Sequence, residues 1–170
     1  FAQLQALVEH DINVVSTCEE LGYPYLTEPG LAEELDGLAQ RHGVSVLGTG
    51  INPGFLMDTL PIVLSSACSE IKVIRMKRAI DASGRRQAFQ KKVGAGLTPE
   101  GFAQAVEERT VTGHVGLEQS IGLFAAAVGW EIDSIQAGLP QPVLATAPVC
   151  SPKIRVEAGQ VAGMRQVARG

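Results

Sequence analysis

Residues 12–54 constrain the fold of this chain more than any other stretch. A short β-branched run, Ile12-Asn-Val-Val-Ser-Thr17, reads as a buried strand. Pro24 and Pro29 mark a loop after it. Leu31, Leu35, Leu38, Ala39 and His42 then share one helical face, and Gly43 stands where a C-terminal glycine cap belongs. Val44-Ser-Val-Leu47 is a second short strand. Upstream, Phe1, Leu4 and Val8 fit the end of another helix. Helix, strand, helix and strand at this spacing is the rhythm of a parallel sheet.

The pattern changes after Gly54. Residues 55–67 read as a helix kinked or restarted at Pro61. Residues 70–80 are β-rich, with Lys72 and Arg78 on the same face as Ile74 and Met76, as in a strand with one wet face. Thr98-Pro-Glu-Gly101 opens a helix, with Thr98 as N-cap and Pro99 in its first turn. Ile121, Phe124, Ala125 and Val128 mark a buried helix face, and residues 131–139 and 153–169 look strand-like. The fold class expected is α/β followed by α+β, with an open, largely antiparallel second sheet. The boundary is placed near residue 53.

Charge is unevenly distributed along the 170 residues. Residues 1–71 hold ten acids and only Arg41, whereas residues 72–92 hold eight bases and only Asp81. Such a block suits a phosphate or polyanion, or equally a solvated strand and turn beside an acidic neighbour. Few aromatics interleave it, so nucleic acid is not an expected partner. The longest apolar run, Phe55 to Cys68, is broken by Asp58 and Pro61, so no membrane span is expected. Cys18, Cys68 and Cys150 are scattered and odd in number, which fits a reducing, cytoplasmic setting. His10, His42 and His114 form no metal spacing with them, and no metal is expected. No signal peptide is visible, and a first residue Phe implies that the true N-terminus lies upstream.

Two segments stand at the ends of the paired strands. Gly48-Thr-Gly-Ile-Asn-Pro-Gly54 comes near a dinucleotide fingerprint, but its last spacing is too long and Pro53 interrupts it. What survives is a tight glycine turn where ligands of open α/β sheets bind, or a purely structural turn. Ser16-Thr-Cys-Glu-Glu20 follows the neighbouring strand. Glu19 and Glu20 point in different directions, so at most one faces a cleft as an acid or base. The alternative is a solvated pair at a helix start. His114, in Thr112-Gly-His-Val-Gly116, reads as a cap, a satisfied core group or a catalyst. Arg85 and Arg86 read as a hairpin tip.

Taken in order, Ser16-Thr-Cys-Glu-Glu-Leu-Gly-Tyr-Pro24, Gly48-Thr-Gly-Ile-Asn-Pro-Gly-Phe55, Arg85-Arg-Gln-Ala-Phe-Gln-Lys-Lys-Val-Gly94 and Gly113-His-Val-Gly116 resemble the family of 2,4-diaminopentanoate dehydrogenase. Its relatives include the native NAD(P)H-dependent amine dehydrogenases and, more widely, dihydrodipicolinate reductase and meso-diaminopimelate dehydrogenase. The resemblance implies the C-terminal part of a Rossmann domain (1–52) and an incomplete α+β domain for substrate binding and dimerisation (53–170). It implies a chain that begins and ends inside a longer protein, NADP or NAD as cofactor, an amine or a ketone plus ammonia as substrate, and a homodimer.

For the site, the resemblance implies Glu19 as the carboxylate that handles the reacting nitrogen, with Glu20 as fallback. It puts a nicotinamide against Thr17, Cys18, Asn52, Pro53 and Gly54. Phe55 and Met57 would shape an apolar substrate pocket, together with His114. The alternatives are a reductase of the dihydrodipicolinate type, its cations supplied by the basic block, and a non-catalytic dimerisation or binding module.

Overall fold

The computed structural model describes residues 1–170. In chain order its elements are α1 (Ala2–Val8), β1 (Val14–Ser16), a 3-10 turn (Glu19–Leu21), α2 (Pro29–His42), β2 (Val46–Gly48), α3 (Thr59–Ser65), α4 (Gln87–Lys92), α5 (Pro99–Glu107) and α6 (Leu117–Val128), followed by six short strands. These are β3 (Gln136–Ala137), β4 (Gln141–Leu144), β5 (Val149–Cys150), β6 (Arg155–Val156), β7 (Val161–Arg165) and β8 (Ala168–Arg169). The fold is mixed α/β, and its strands pair two by two: β1 with β2, β3 with β8, β4 with β7 and β5 with β6. The chain packs as two units that interleave along the sequence, one made of 1–77, 114–136 and 169–170, the other of 78–113 and 137–168.

In the first unit β1 and β2 run parallel, with Val14 opposite Val46 and Ser16 opposite Gly48. Val8 on α1 and Leu35 and Ala39 on α2 form the core under this pair, joined by Phe1, Leu4, Leu38, Val44 and Val46. α2 ends at Gly43 in the left-handed conformation. The strand at 12–17 is half-buried rather than buried. Helices cover one face of β1 and β2, and alternation turns Val15 and Leu47, 70% and 55% exposed, to the other. α6 buries Leu117, Phe124 and Ala125. Phe124 meets Trp130 edge-on, with ring centroids 5.8 Å apart.

The helix expected over 55–67 spans only Thr59–Ser65. Asp58 caps it, so Pro61 falls in the first turn, where a backbone N–H has no intrahelical partner to lose. Residues 70–80 form no strand. β-propensity expresses itself through a pairing partner, and no neighbouring strand reaches this segment.

In the second unit Phe102, Val111 and Val161 form the core, with Leu97, Ala105, Val106 and Met164 packed around them. Thr98 caps α5: its hydroxyl accepts from Gly101 N at 3.1 Å, with Pro99 at the helix start. β4 and β7 pair antiparallel, as do β5 and β6, in separate small sheets rather than one open sheet. The expected hairpin tip at Arg85–Arg86 is instead the entry to α4, and the Arg85 guanidinium lies over the Phe89 ring at 5.7 Å.

Candidate functional site

The parallel pairing of β1 with β2 places the two strand ends side by side, since Thr49 N donates to Ser16 O at 2.9 Å. Both chains then leave the sheet in tight turns. The Ser16-Thr-Cys segment enters the 3-10 turn at Glu19, and the Gly48–Gly54 segment folds back on itself with a cis peptide between Asn52 and Pro53. Gly54 has φ +122, and a Cβ there would strike the Gly50 backbone, so the turn closes only with glycine. Between the two turns lies an open cleft of about 480 Å³, lined by Thr17, Glu19, Thr49, Gly50, Ile51, Asn52 and Pro53.

Glu19 is fixed from the segment that leads into α6. One carboxylate oxygen accepts from His114 Nδ1 at 2.9 Å, and the other accepts from Val115 N at 2.8 Å and Gly116 N at 3.3 Å. The two backbone donors belong to the entry of α6, where helix N–H groups lack intrahelical partners and favour an acidic side chain. His114 also reaches the other turn, with Nε2 at 3.3 Å from Asn52 Nδ2. A carboxylate only accepts and an amide nitrogen only donates, so the partners assign the imidazole proton to Nδ1 and leave Nε2 as acceptor. The Asn52 Oδ1 atom is buried without a hydrogen-bond partner.

A second tie runs beneath the turn. Asp58 is 1% exposed and accepts from Gly54 N at 2.7 Å, Thr59 N at 2.5 Å and Ser120 Oγ at 2.9 Å. One carboxylate thus closes the glycine turn, caps α3 and bonds α6. Asp58 and Ser120 are residues that sequence reasoning did not single out. In the sequence Asp58 is a polar break in an apolar run. The signal available was an Asp directly before a helix start, together with a Ser on the buried face of α6.

Of the residues expected at the site, Thr17, Glu19, Asn52, Pro53 and His114 come together. Glu20 turns away, and Cys18 Sγ lies 3.8 Å from its carboxylate. Cys18 and Gly54 stand next to lining residues without lining the cleft themselves. Phe55, 44% exposed, and half-buried Met57 lie outside the lining. Cys18, Cys68 and Cys150 are free and exposed. No helix is long and apolar enough to cross a membrane.

The lining chemistry discriminates between ligands. Two hydroxyls, one amide, Ile51 and Pro53 surround a single carboxylate, and no lysine or arginine is present. Such walls fit a flat amide-bearing ring such as nicotinamide. They offer no side-chain cation to its pyrophosphate.

Three comparisons bear on the site. The family model of the 2,4-diaminopentanoate dehydrogenase C-terminal domain matches residues 55–170. Over 163 residues the chain is 42% identical to the 2,4-diaminopentanoate dehydrogenase of Acetoanaerobium sticklandii, covering 96% of this chain and 46% of that protein. The structure of the amine dehydrogenase of Mycobacterium smegmatis superposes with a TM-score of 0.72 at 25% identity, covering 99% of this chain and 49% of that one. The chain therefore spans about half the length of the relatives it matches.

Proposed function

The chain belongs to the 2,4-diaminopentanoate dehydrogenase C-terminal domain family, and from that membership we propose that it is part of an NAD(P)-dependent oxidoreductase acting on a CH–NH2 group. The reaction interconverts an amine with a ketone plus ammonia. The observation that carries this reading is the Glu19 carboxylate, held by three donors at the edge of a cleft over the ends of two parallel strands. Residues 1–52 are read as the end of a Rossmann domain. Residues 53–170 are read as the substrate-binding and dimerisation part of a cytoplasmic homodimer.

A bound nicotinamide supplies the hydride donor or acceptor at its C4. Thr17, Thr49, Asn52 and Pro53 hold the ring, with Cys18 and Gly54 setting the backbone behind it. Glu19 handles protons. In the reductive direction it takes one proton from ammonium; the ammonia so freed adds to the ketone carbon and passes one of its own protons to the carbonyl oxygen, and Glu19 returns its proton to that hydroxyl, which leaves as water. Its negative charge stabilises the iminium so formed. Phe55 and Met57 offer apolar surface to the carbon skeleton of the substrate. The dicarboxylate-reducing alternative needs cations aimed at its substrate, and the cleft lining has none.

The test is steady-state kinetics with titrated NADH and NADPH on the native full-length polypeptide. Glu19→Gln keeps the size of the side chain and removes its basic site. Turnover should fall by about 10²–10⁴-fold, the usual cost of losing a general acid or base, with little change in cofactor affinity. Glu20→Gln should stay near wild type. Activity retained in Glu19→Gln would overturn the carboxylate mechanism. No spectroscopic response to either cofactor would favour a binding module instead.

A further inference from the structure

We propose that His114 is the positioning residue of this site: an imidazole, protonated on Nδ1, that holds the Glu19 carboxylate with one nitrogen and the Asn52 amide with the other. The inference rests on Glu19 as the proton-handling group and adds how that group is held in register with the turn across the cleft. Glu19 follows β1 and Asn52 follows β2. Apart from the Thr49–Ser16 ladder bond, the two turns have no direct hydrogen bond to one another among their contacts. His114 bridges them, at 2.9 Å to one and 3.3 Å to the other.

The hydrogen-bond polarity along this path runs one way. Asn52 Nδ2 donates to His114 Nε2, and His114 Nδ1 donates to Glu19 Oε1. Protonating His114 would set an Nε2–H against the Asn52 N–H group. The amide then has to turn and present Oδ1, the buried atom that lacks a partner in the present arrangement. His114 protonation and the orientation of the Asn52 side chain are therefore coupled. Glu19 bonds the imidazole directly, Glu118 lies in the first turn of α6, and Asp58 beneath the turn is occupied by Gly54, Thr59 and Ser120. Because Asn52 lines the cleft and Glu19 stands at its edge, a change at His114 alters two walls at once.

Two readouts on the native full-length polypeptide test this. The first is the tautomer, read from the histidine ring nitrogens by long-range ¹⁵N–¹H NMR near pH 8, without substrate. Wild type should show Nδ1 protonated and Nε2 bare. Glu19→Ala should shift His114 toward the Nε2–H form that free imidazole side chains prefer, and Asn52→Ala should leave Nδ1–H in place. The second readout is kinetic. His114→Ala should lower kcat by roughly 10–10²-fold, the order expected when a reacting group is misplaced by about an ångström. His114→Asn, whose amide N–H replaces the Nδ1 donor, should recover most of that loss.

An Nε2–H tautomer in wild type that ignores Glu19→Ala overturns the proposal, whatever the activity. So does a His114→Asn variant no more active than His114→Ala. If the tautomer depends on Glu19 while Glu19→Gln stays active, the positioning contact stands and the reading of Glu19 as the base fails.

Discussion

Ser120 on α6 and Asp58 at the start of α3, 62 residues apart in sequence, share a buried hydrogen bond of 2.9 Å. The same carboxylate closes the Gly54 turn. The helix whose entry holds Glu19 is therefore also bonded to the turn that carries Asn52. One element sets the position of both sides of the cleft.

Removing Asp58 should cost more than removing Ser120. Asp58→Ala deletes an N-cap and strands buried donors on Gly54 and Ser120, a loss of about 2–4 kcal/mol. Ser120→Ala removes one donor from a carboxylate that keeps two others, a loss of about 1–2 kcal/mol. Urea titrations followed by circular dichroism would measure both. Equal losses would mean that the backbone contacts of Asp58 contribute nothing.

Gly116→Ala should disturb the site directly. A Cβ at this position would meet Glu19 O at 2.7 Å, Glu19 Cβ at 2.8 Å and Pro53 Cγ at 2.9 Å. Backbone and ring atoms cannot swing aside as a flexible side chain can, so overpacking of about 1–3 kcal/mol is expected. A fluorescence titration with NADH should show weakened binding in a variant that still folds. Wild-type affinity would show that the turns accommodate the methyl group without moving.

Thr98→Ala should destabilise the second unit by about 1 kcal/mol through loss of the α5 cap, and Thr98→Ser should restore most of it. The helix buries Phe102 in the core of that unit, so hydrogen exchange should speed up along α5 first. No change in exchange on Thr98→Ala would show that tertiary packing alone holds the helix start.

The backbone N–H of Ser83, followed by its hydroxyl, hydrogen-bonds the Asp81 carboxylate and holds its carboxyl below the usual aspartate value. The folded value lies below the unfolded one. The stabilisation is therefore complete at pH above the unfolded value and is lost as pH falls through the folded one. Carboxyl-detected NMR should find Asp81 titrating low and Ser83→Ala returning it upward. An Asp81 that titrates normally in wild type would remove the contact from consideration.

The amino-acid sequence by itself determines the local parts of this protein. β-branched runs make β1 and β2, apolar spacing and glycine make α2 and its end at Gly43, and Thr98-Pro99 starts α5. Each depends on residues within a few positions of one another, where propensity and capping act. The ordered segments from Ser16 to Gly116 likewise carry the family resemblance, because they are read along the chain. The segment 70–80 shows where this kind of reading stops: its composition suits a strand, but a strand also needs a neighbour, and composition does not supply one.

The tertiary structure alone decides the rest. Glu19 and Glu20 are chemically equivalent neighbours. Only the packing of α6, with donors 95 to 97 residues away, directs one carboxylate to His114, Val115 and Gly116 and leaves the other beside Cys18. Asp58 likewise shows as a lone acid in an apolar run until folding brings Ser120 to it. Side-chain direction and long-range partners follow from how elements pack together, and that geometry has no period or spacing along the chain from which to read it.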